Sequence, residues 1–314
     1  MKHKSIGQQR RKRHQTIAIS VTAVVTVVVV CILCLLLRRG DKVPPQTDYS
    51  FSPDPTVTAG TTASSDTPTP SPSPEPTSTP TPTPTPEPVM LSSLDGYDPG
   101  DVIEDSLIDT GNLDQYFTIS EIQTGDDVYL RIYGQSFVEN NDIALQDLRY
   151  LKMLHVNFDG CYQVGEMIVN ATVAQQVTEI FEALCENGYQ IYSMYLIDDF
   201  WVGNGTDSDT NSIEYNNTSC FCYRAATGGS NISRHALGLA IDLNPQQNPY
   251  VSTGSDGSLH WSHENASDYV YDRSSSTPHV ITESDYAYQL FTSYGWTWGG
   301  SWNNPRDYQH FQYS

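Results

Sequence analysis

Basic residues are scarce in most of this chain of 314 residues. Nine of its 16 lysines and arginines lie within the first 42 residues, so that the remainder carries 7 basic residues against 36 acidic ones. A surface this negative repels nucleic-acid phosphates, because the counterion release that drives such binding requires basic side chains. The composition therefore excludes nucleic acid as a partner.

Charged residues (17%) and hydrophobic residues (38%) are both less frequent than in a typical compact soluble chain. This deficit has a local cause, since 14 of the 19 prolines fall between Val43 and Met90. There, threonine or serine alternates with proline, a pattern that buries little apolar area and stays extended. We predict a disordered Pro/Thr/Ser-rich linker over residues 38–94. It is either a spacer whose length matters for function or a linker with no required length.

Long hydrophobic runs are also rare, but residues 17–37 form one of 21 residues without a charged side chain. As an α-helix, this run spans a hydrocarbon core of about 30 Å. A cleaved signal peptide is shorter and ends at small residues, whereas this run continues directly into Arg38 and Arg39. Six basic residues precede the run and three follow it. The positive-inside bias thus predicts a cytoplasmic tail (1–16), a transmembrane helix (17–37) and an extracellular remainder.

Residues 95–314 are the part of the chain whose composition can bury a core, and their number fits one domain. Within them, apolar and polar residues alternate over 128–133, which predicts a half-buried strand. A second strand is predicted over residues 190–197. The first of two predicted helices begins near Asn170 and ends before Gly188.

The second predicted helix begins at a capping box of Thr282 and Asp285 and ends at Gly295. Strands and helices thus occur without a regular βαβ alternation. We therefore predict the α+β class, with a small mixed or antiparallel sheet and flanking helices.

Cysteines are few, six in all, and Cys31 and Cys34 lie in the hydrophobic run as apolar side chains. The other four are Cys161, Cys185, Cys220 and Cys222. In an oxidising compartment they allow three disulfide pairings, among which the sequence does not choose. A single Cys-x-Cys is a weak zinc signal, so we interpret these cysteines as structural.

Two short patterns carry the candidate chemistry. His235 and Asp242 are seven residues apart with Gly238 between them, and a strand after the glycine would direct Asp242 into a cleft. Near the C-terminus, Asp307 precedes His310 by three residues. Two histidines and one carboxylate suffice to bind a catalytic zinc with one open position, which leaves Asp307 as a base. The alternative is a set of ordinary buried hydrogen bonds.

The run Ser-x-His-x-x-Gly-x-Ala-x-Asp at 233–242 closely resembles the zinc D-alanyl-D-alanine carboxypeptidase family, which includes L-alanyl-D-glutamate endopeptidases of peptidoglycan. Residues 298–302 and 307–311 look like the closing motif of that family, and residues 216–224 look like the segment before its first metal ligand. The likeness extends from about Leu148 to the C-terminus.

The resemblance implies a hedgehog/DD-peptidase-like fold and a Zn²⁺ cofactor bound by His235, Asp242 and His310. It also implies that Asp307 is the general base and that Arg224 is the cation near the scissile carbonyl. These roles suit amide hydrolysis, since a base accepts the proton of water and a cation stabilises the oxyanion. The alternative for Arg224 is a surface salt bridge, which is disfavoured because bases are so scarce here.

Ser301 departs from the family pattern, in which relatives often have an acid at this position, so this part of the substrate cleft stays undefined. Three nearby tryptophans, Trp296, Trp298 and Trp302, either line the cleft or pack in the core.

These observations predict a membrane-anchored extracellular zinc peptidase that acts on peptidoglycan stem peptides. A D-alanyl-D-alanine carboxypeptidase is favoured. Recognition of its terminal carboxylate usually requires a cation or a cluster of backbone N–H groups. Arg234 and Arg306 are the candidate cations, and the alternative is that both are simply solvated. The alternatives are an L-alanyl-D-glutamate endopeptidase and a wall-binding module without turnover. A glycosylated surface protein is disfavoured, because a glycan at Asn231 would obstruct His235.

Overall fold

The computed structural model describes residues 89–226 and 229–314. The predicted cytoplasmic tail, transmembrane helix and most of the predicted linker lie outside these residues. In the described part of the chain, no helix is long and apolar enough to cross a membrane. The packed region begins slightly before the predicted boundary at residue 95, because Leu94 is buried in the core and the Leu91 amide donates to the Leu107 carbonyl.

The secondary structure of the described residues consists of short elements. The α-helices are α1 (Asp127–Ile132), α2 (Ala174–Glu186), α3 (Gly205–Glu214), α4 (Ser267–Tyr271) and α5 (Tyr286–Ser293). The strands are β1 (Val102–Ile103), β2 (Thr118–Glu121), β3 (Leu148–Val156), β4 (Tyr162–Asn170), β5 (Ser193–Met194), β6 (Asn217–Thr218), β7 (Ala240–Asp242), β8 (Tyr250–Thr253), β9 (Leu259–Trp261), β10 (Thr297–Trp298), β11 (Arg306–Asp307) and β12 (His310–Gln312).

The largest sheet is antiparallel, with strand order β1-β4-β3-β2. Helix α2 packs on β3, since Val177, Ile180, Phe181 and Leu184 recur on one helix face and are buried. Two further antiparallel sheets, β10-β12-β7 and β11-β8-β9, carry the C-terminal motifs, and β5 pairs with β6 in parallel. Helices beside small, mainly antiparallel sheets confirm the α+β class.

The strand prediction for residues 128–133 is wrong, because this segment is helix α1. The carboxylate of Asp126 accepts the backbone N–H of Tyr129 and caps the helix. Only Ile132 of α1 is buried, and a helix of under two turns that buries one side chain has no clear helical period. The second predicted strand, 190–197, is reduced to the two residues of β5.

Both predicted helices are present, with different starts. Asn170 ends β4 instead of capping α2, and its side-chain amide donates to the Leu237 carbonyl. In α5, Asp285 is itself the cap and accepts the N–H of Ala287, so Thr282 does not form the predicted capping box with it.

The four cysteines of the domain are free thiols, and Cys185, Cys220 and Cys222 are buried. Burial raises the pKa of the Cys185 thiol to about 12, and it also raises the pKa values of Cys220 and Cys222. These thiols are therefore protonated at neutral pH and pack as small apolar side chains. None of the three disulfide pairings left open by the sequence is present.

Candidate metal centre

A glycine turn places His235 against the main sheet. His235 begins the short 3-10 turn His235–Leu237, which ends at Gly238 with a left-handed φ of 64°. A Cβ atom on Gly238 would lie 2.5 Å from the backbone nitrogen of Asn170. Only glycine allows both this φ and this close approach, so Gly238 determines where the chain turns from His235 into β7.

Strand pairing brings Asp242 and His310 together. In the antiparallel pair of β7 and β12, Asp242 lies directly opposite His310. Opposite residues on neighbouring strands point to the same face of a sheet, so the two side chains meet although they are far apart in sequence. The next residue of β12, Phe311, points to the other face and is fully buried in the core.

Three buried side chains converge on one point beside β7 and β12. Nε2 of His235 lies 3.2 Å from Nδ1 of His310 and 3.3 Å from Oδ1 of Asp242, and these last two atoms are 3.1 Å apart. Tetrahedral zinc with bonds of about 2.0–2.1 Å holds its ligand atoms about 3.3 Å from one another. The donor types and spacings therefore fit a zinc ion, and the structure brings together all three predicted ligands.

The other ring nitrogens of the two histidines are held by neutral oxygen acceptors. Nδ1 of His235 donates to the Cys220 carbonyl at 2.7 Å, and Nε2 of His310 donates to Oε1 of Gln312 at 3.1 Å. These hydrogen bonds leave the opposite nitrogen of each ring available at the centre. No sequence pattern points to Cys220 or Gln312 in this role, because their contribution depends on the packing around the rings.

The centre also favours positive charge. Burial by itself lowers the pKa of His310, but the hydrogen bond and charge of Asp242 outweigh burial and raise this pKa to about 9. Burial raises the pKa of Asp242, but the two histidines outweigh it and hold that pKa well below the usual range. The ionised carboxylate of Asp242 thus favours positive charge at this point, which suits a metal cation.

Asp307 lies next to the three donor residues, on β11. Asp307 is paired with Tyr250 of β8. A Cβ atom on Gly299 would lie 2.6 Å from the carbonyl oxygen of Asp307. The same Cβ would lie 3.3 Å from Cβ of His310, so Gly299 allows Asp307 and His310 to pack closely against one loop. Oδ1 of Asp307 is buried and has no hydrogen-bond partner among the described residues.

The carboxyl group of Asp307 has an unusually high pKa for an aspartate. Burial is the largest cause and raises the pKa to about 7, with further contributions from the negative charges of Asp242 and Asp209. The positive charges of His310 and Arg224 oppose this rise. A carboxyl group with a pKa near neutrality suits proton transfer.

Arg224 forms a buried ion pair rather than a surface salt bridge. Its Nη2 lies 2.7 Å from Oδ2 of Asp209 in α3, and the two side chains are 7% and 9% exposed. Nη1 donates to the Ala225 carbonyl at 3.2 Å, whereas Nε is buried and has no partner among the described residues. Asp209 could not be predicted from the sequence, because it lies in an acidic helix with no motif to distinguish it.

Only one of the three nearby tryptophans lies beside the centre. The rings of Trp296 and Trp298 are buried, and their N–H groups donate to the Gln176 side chain and the Tyr308 carbonyl. Trp302 is partly exposed, and its ring centroid is 5.4 Å from that of His310. Trp302 thus borders the centre.

Comparison with known proteins supports the resemblance found in the sequence. A family model described as D-alanyl-D-alanine carboxypeptidase matches residues 227–313. This match contains the three donor residues and Asp307, but it is shorter than the predicted likeness and does not include Arg224. No curated protein and no solved structure matches the chain.

Proposed function

We propose that this chain is a zinc metallopeptidase with a DD-peptidase-like fold that hydrolyses peptidoglycan stem peptides, in the manner of a D-alanyl-D-alanine carboxypeptidase. The observation that carries this proposal is the convergence of three buried donor atoms beside the carboxyl group of Asp307, whose Oδ1 has no hydrogen-bond partner among the described residues. The family match over the same residues supports a peptidase. A wall-binding module without turnover would have no need of a free carboxylate at this position.

His235, Asp242 and His310 would hold the zinc ion through Nε2, Oδ1 and Nδ1 respectively. When bound, zinc acts as a Lewis acid that polarises a carbonyl group and lowers the pKa of bound water to about 7. Gln309 supports this arrangement, since its side-chain amide donates to the other carboxylate oxygen of Asp242 at 3.3 Å.

Asp307 would accept a proton from the attacking water and return it to the leaving amine. A divalent cation nearby favours the carboxylate form, so it would lower the pKa of Asp307 from its metal-free value and leave the group ionised at neutral pH. Arg224 would donate a hydrogen bond to the substrate carbonyl oxygen as negative charge develops there.

The partners of the basic side chains favour a carboxypeptidase over an endopeptidase, because they show which cations are available for a terminal carboxylate. Five of the seven bases beyond residue 42 have protein partners through their side chains, namely Arg131, Arg149, Lys152, Arg224 and Arg273. The side chains of Arg234 and Arg306 contact no hydrogen-bond or ionic partner in the described ranges. Arg306 alternates with Asp307 along β11 and so points away from it, whereas Arg234 adjoins His235. We propose Arg234 as the group that binds a terminal carboxylate.

We expect the full-length chain to release single D-alanine from a synthetic stem pentapeptide that ends in D-Ala-D-Ala. A matched pentapeptide with an amidated C-terminus should be cleaved much more slowly, because it lacks the carboxylate that Arg234 would bind. Mass spectrometry of the products measures both reactions. Cleavage after L-alanine, with the D-Ala-D-Ala end intact, would establish the endopeptidase instead.

We also propose that residues 17–37 anchor the chain in the cell membrane, with residues 1–16 in the cytoplasm and the peptidase domain outside. Protease added to intact cells is then expected to remove the domain while a tag at the N-terminus stays protected. Immunoblots against the tag and the domain measure this, and disruption of the membrane is the control. A protected domain in intact cells would contradict the proposed orientation.

A further inference from the structure

We propose that Asp209 is a positioning residue that orients the guanidinium of Arg224 towards the substrate. This inference rests on the proposed function, because it assigns a role to a residue that acts through Arg224. The contact that suggests it is the 2.7 Å ion pair between Nη2 of Arg224 and Oδ2 of Asp209. Both side chains are more than nine-tenths buried, so solvent weakens this pair little.

Helix α3 holds Asp209 in a defined place. Its N-terminus is capped by Asn204, whose side chain accepts the N–H of Asp207, and Ser208 accepts the N–H of Val202. Gly205 starts the helix, and a Cβ atom there would lie 2.9 Å from the Tyr223 carbonyl oxygen. The first turn of α3 is thus packed directly against the segment that carries Arg224.

The ion pair determines which donors of Arg224 remain available. Nη2 donates one N–H to Asp209 and Nη1 donates one N–H to the Ala225 carbonyl, whereas the Nε–H is buried and has no protein acceptor in the described part of the chain. A buried donor without an acceptor is unfavourable. A substrate oxygen would satisfy this N–H.

The test measures kcat and KM of the purified full-length chain with the D-Ala-D-Ala pentapeptide. We expect Asp209→Asn to lower kcat about 10²-fold with unchanged zinc content, because misplacing a catalytic group by about 1 Å has an effect of this size. Asp207→Asn is the matched control, since Asp207 is exposed on the same helix. Normal kcat in Asp209→Asn, or equal losses in both variants, would overturn the proposal.

A double-mutant cycle separates positioning from general stability. In an Arg224→Gln background, Asp209→Asn should change kcat less than twofold, because a residue that acts only through Arg224 has nothing left to orient. Additive losses would show that Asp209 acts by another route. If Asp209→Asn does not fold, Asp209→Glu shifts the carboxylate by one methylene and carries the same test, and wild-type kcat in that variant would contradict the proposal.

A readout without turnover distinguishes this inference from the proposed function. The ¹⁵N NMR signal of the Arg224 Nε–H, assigned by its loss in Arg224→Gln, should exchange slowly with water in the wild-type chain. It should shift and exchange faster in Asp209→Asn but not in Asp207→Asn. An unchanged signal in Asp209→Asn would refute the positioning role even if the chain hydrolyses no peptide.

Discussion

Asp307→Asn is expected to lower peptide hydrolysis by about 10²- to 10⁴-fold while the zinc content stays at one per chain. Asparagine preserves the shape of the side chain, but its amide accepts no proton from water at neutral pH. Since Asp307 is not one of the three converging donors, the metal should remain bound. Initial rates with the stem pentapeptide, together with metal analysis of the same samples, measure both effects.

The matched control for this variant is Asp256→Asn. Asp256 is exposed in the turn between β8 and β9, in the same sheet as Asp307, and it does not contact the metal centre. Its replacement should leave hydrolysis and zinc content unchanged. Loss of zinc in Asp307→Asn would make Asp307 a ligand rather than a base, and an unchanged rate would exclude both roles.

His310→Ala is expected to abolish zinc binding at neutral pH and, with it, hydrolysis. The substitution removes one of the three proposed protein ligands and the hydrogen bond to Gln312 that orients the ring. It also leaves Asp242 buried with fewer partners, which is unfavourable for a charged group. Zinc content after dialysis and the rate of peptide hydrolysis measure the effect.

Thermal unfolding provides a second measure of the same site. Zinc that binds only the folded chain stabilises it by about 2.7 kcal/mol when its free concentration is 100 times Kd. A chelator should therefore lower the Tm of the wild-type chain and of His260→Ala, whose exposed histidine lies on β9, but not that of His310→Ala. A chelator effect of equal size in His310→Ala would place the zinc elsewhere.

The two chemical patterns around the centre could be predicted because each one is local. His235 and Asp242 are separated by a glycine turn, and Asp307 precedes His310 by three residues, so each pattern lies within a short segment. The apolar face of α2 was equally clear, because a 3.6-residue period persists over 13 residues. Helix α1 was missed because its six residues are too few to distinguish helix from strand by period.

The sequence by itself thus determined the α+β class, the candidate donors and the strong separation of basic and acidic residues along the chain. Only the tertiary structure decided that Asp242 faces His310, because the register of β7 and β12 depends on packing of the whole sheet. It also decided that Asp209 rather than another acid pairs with Arg224, and that the four cysteines of the described residues stay unpaired. Local patterns reveal which side chains are available, whereas contacts between distant segments depend on how helices and strands bury their apolar faces together.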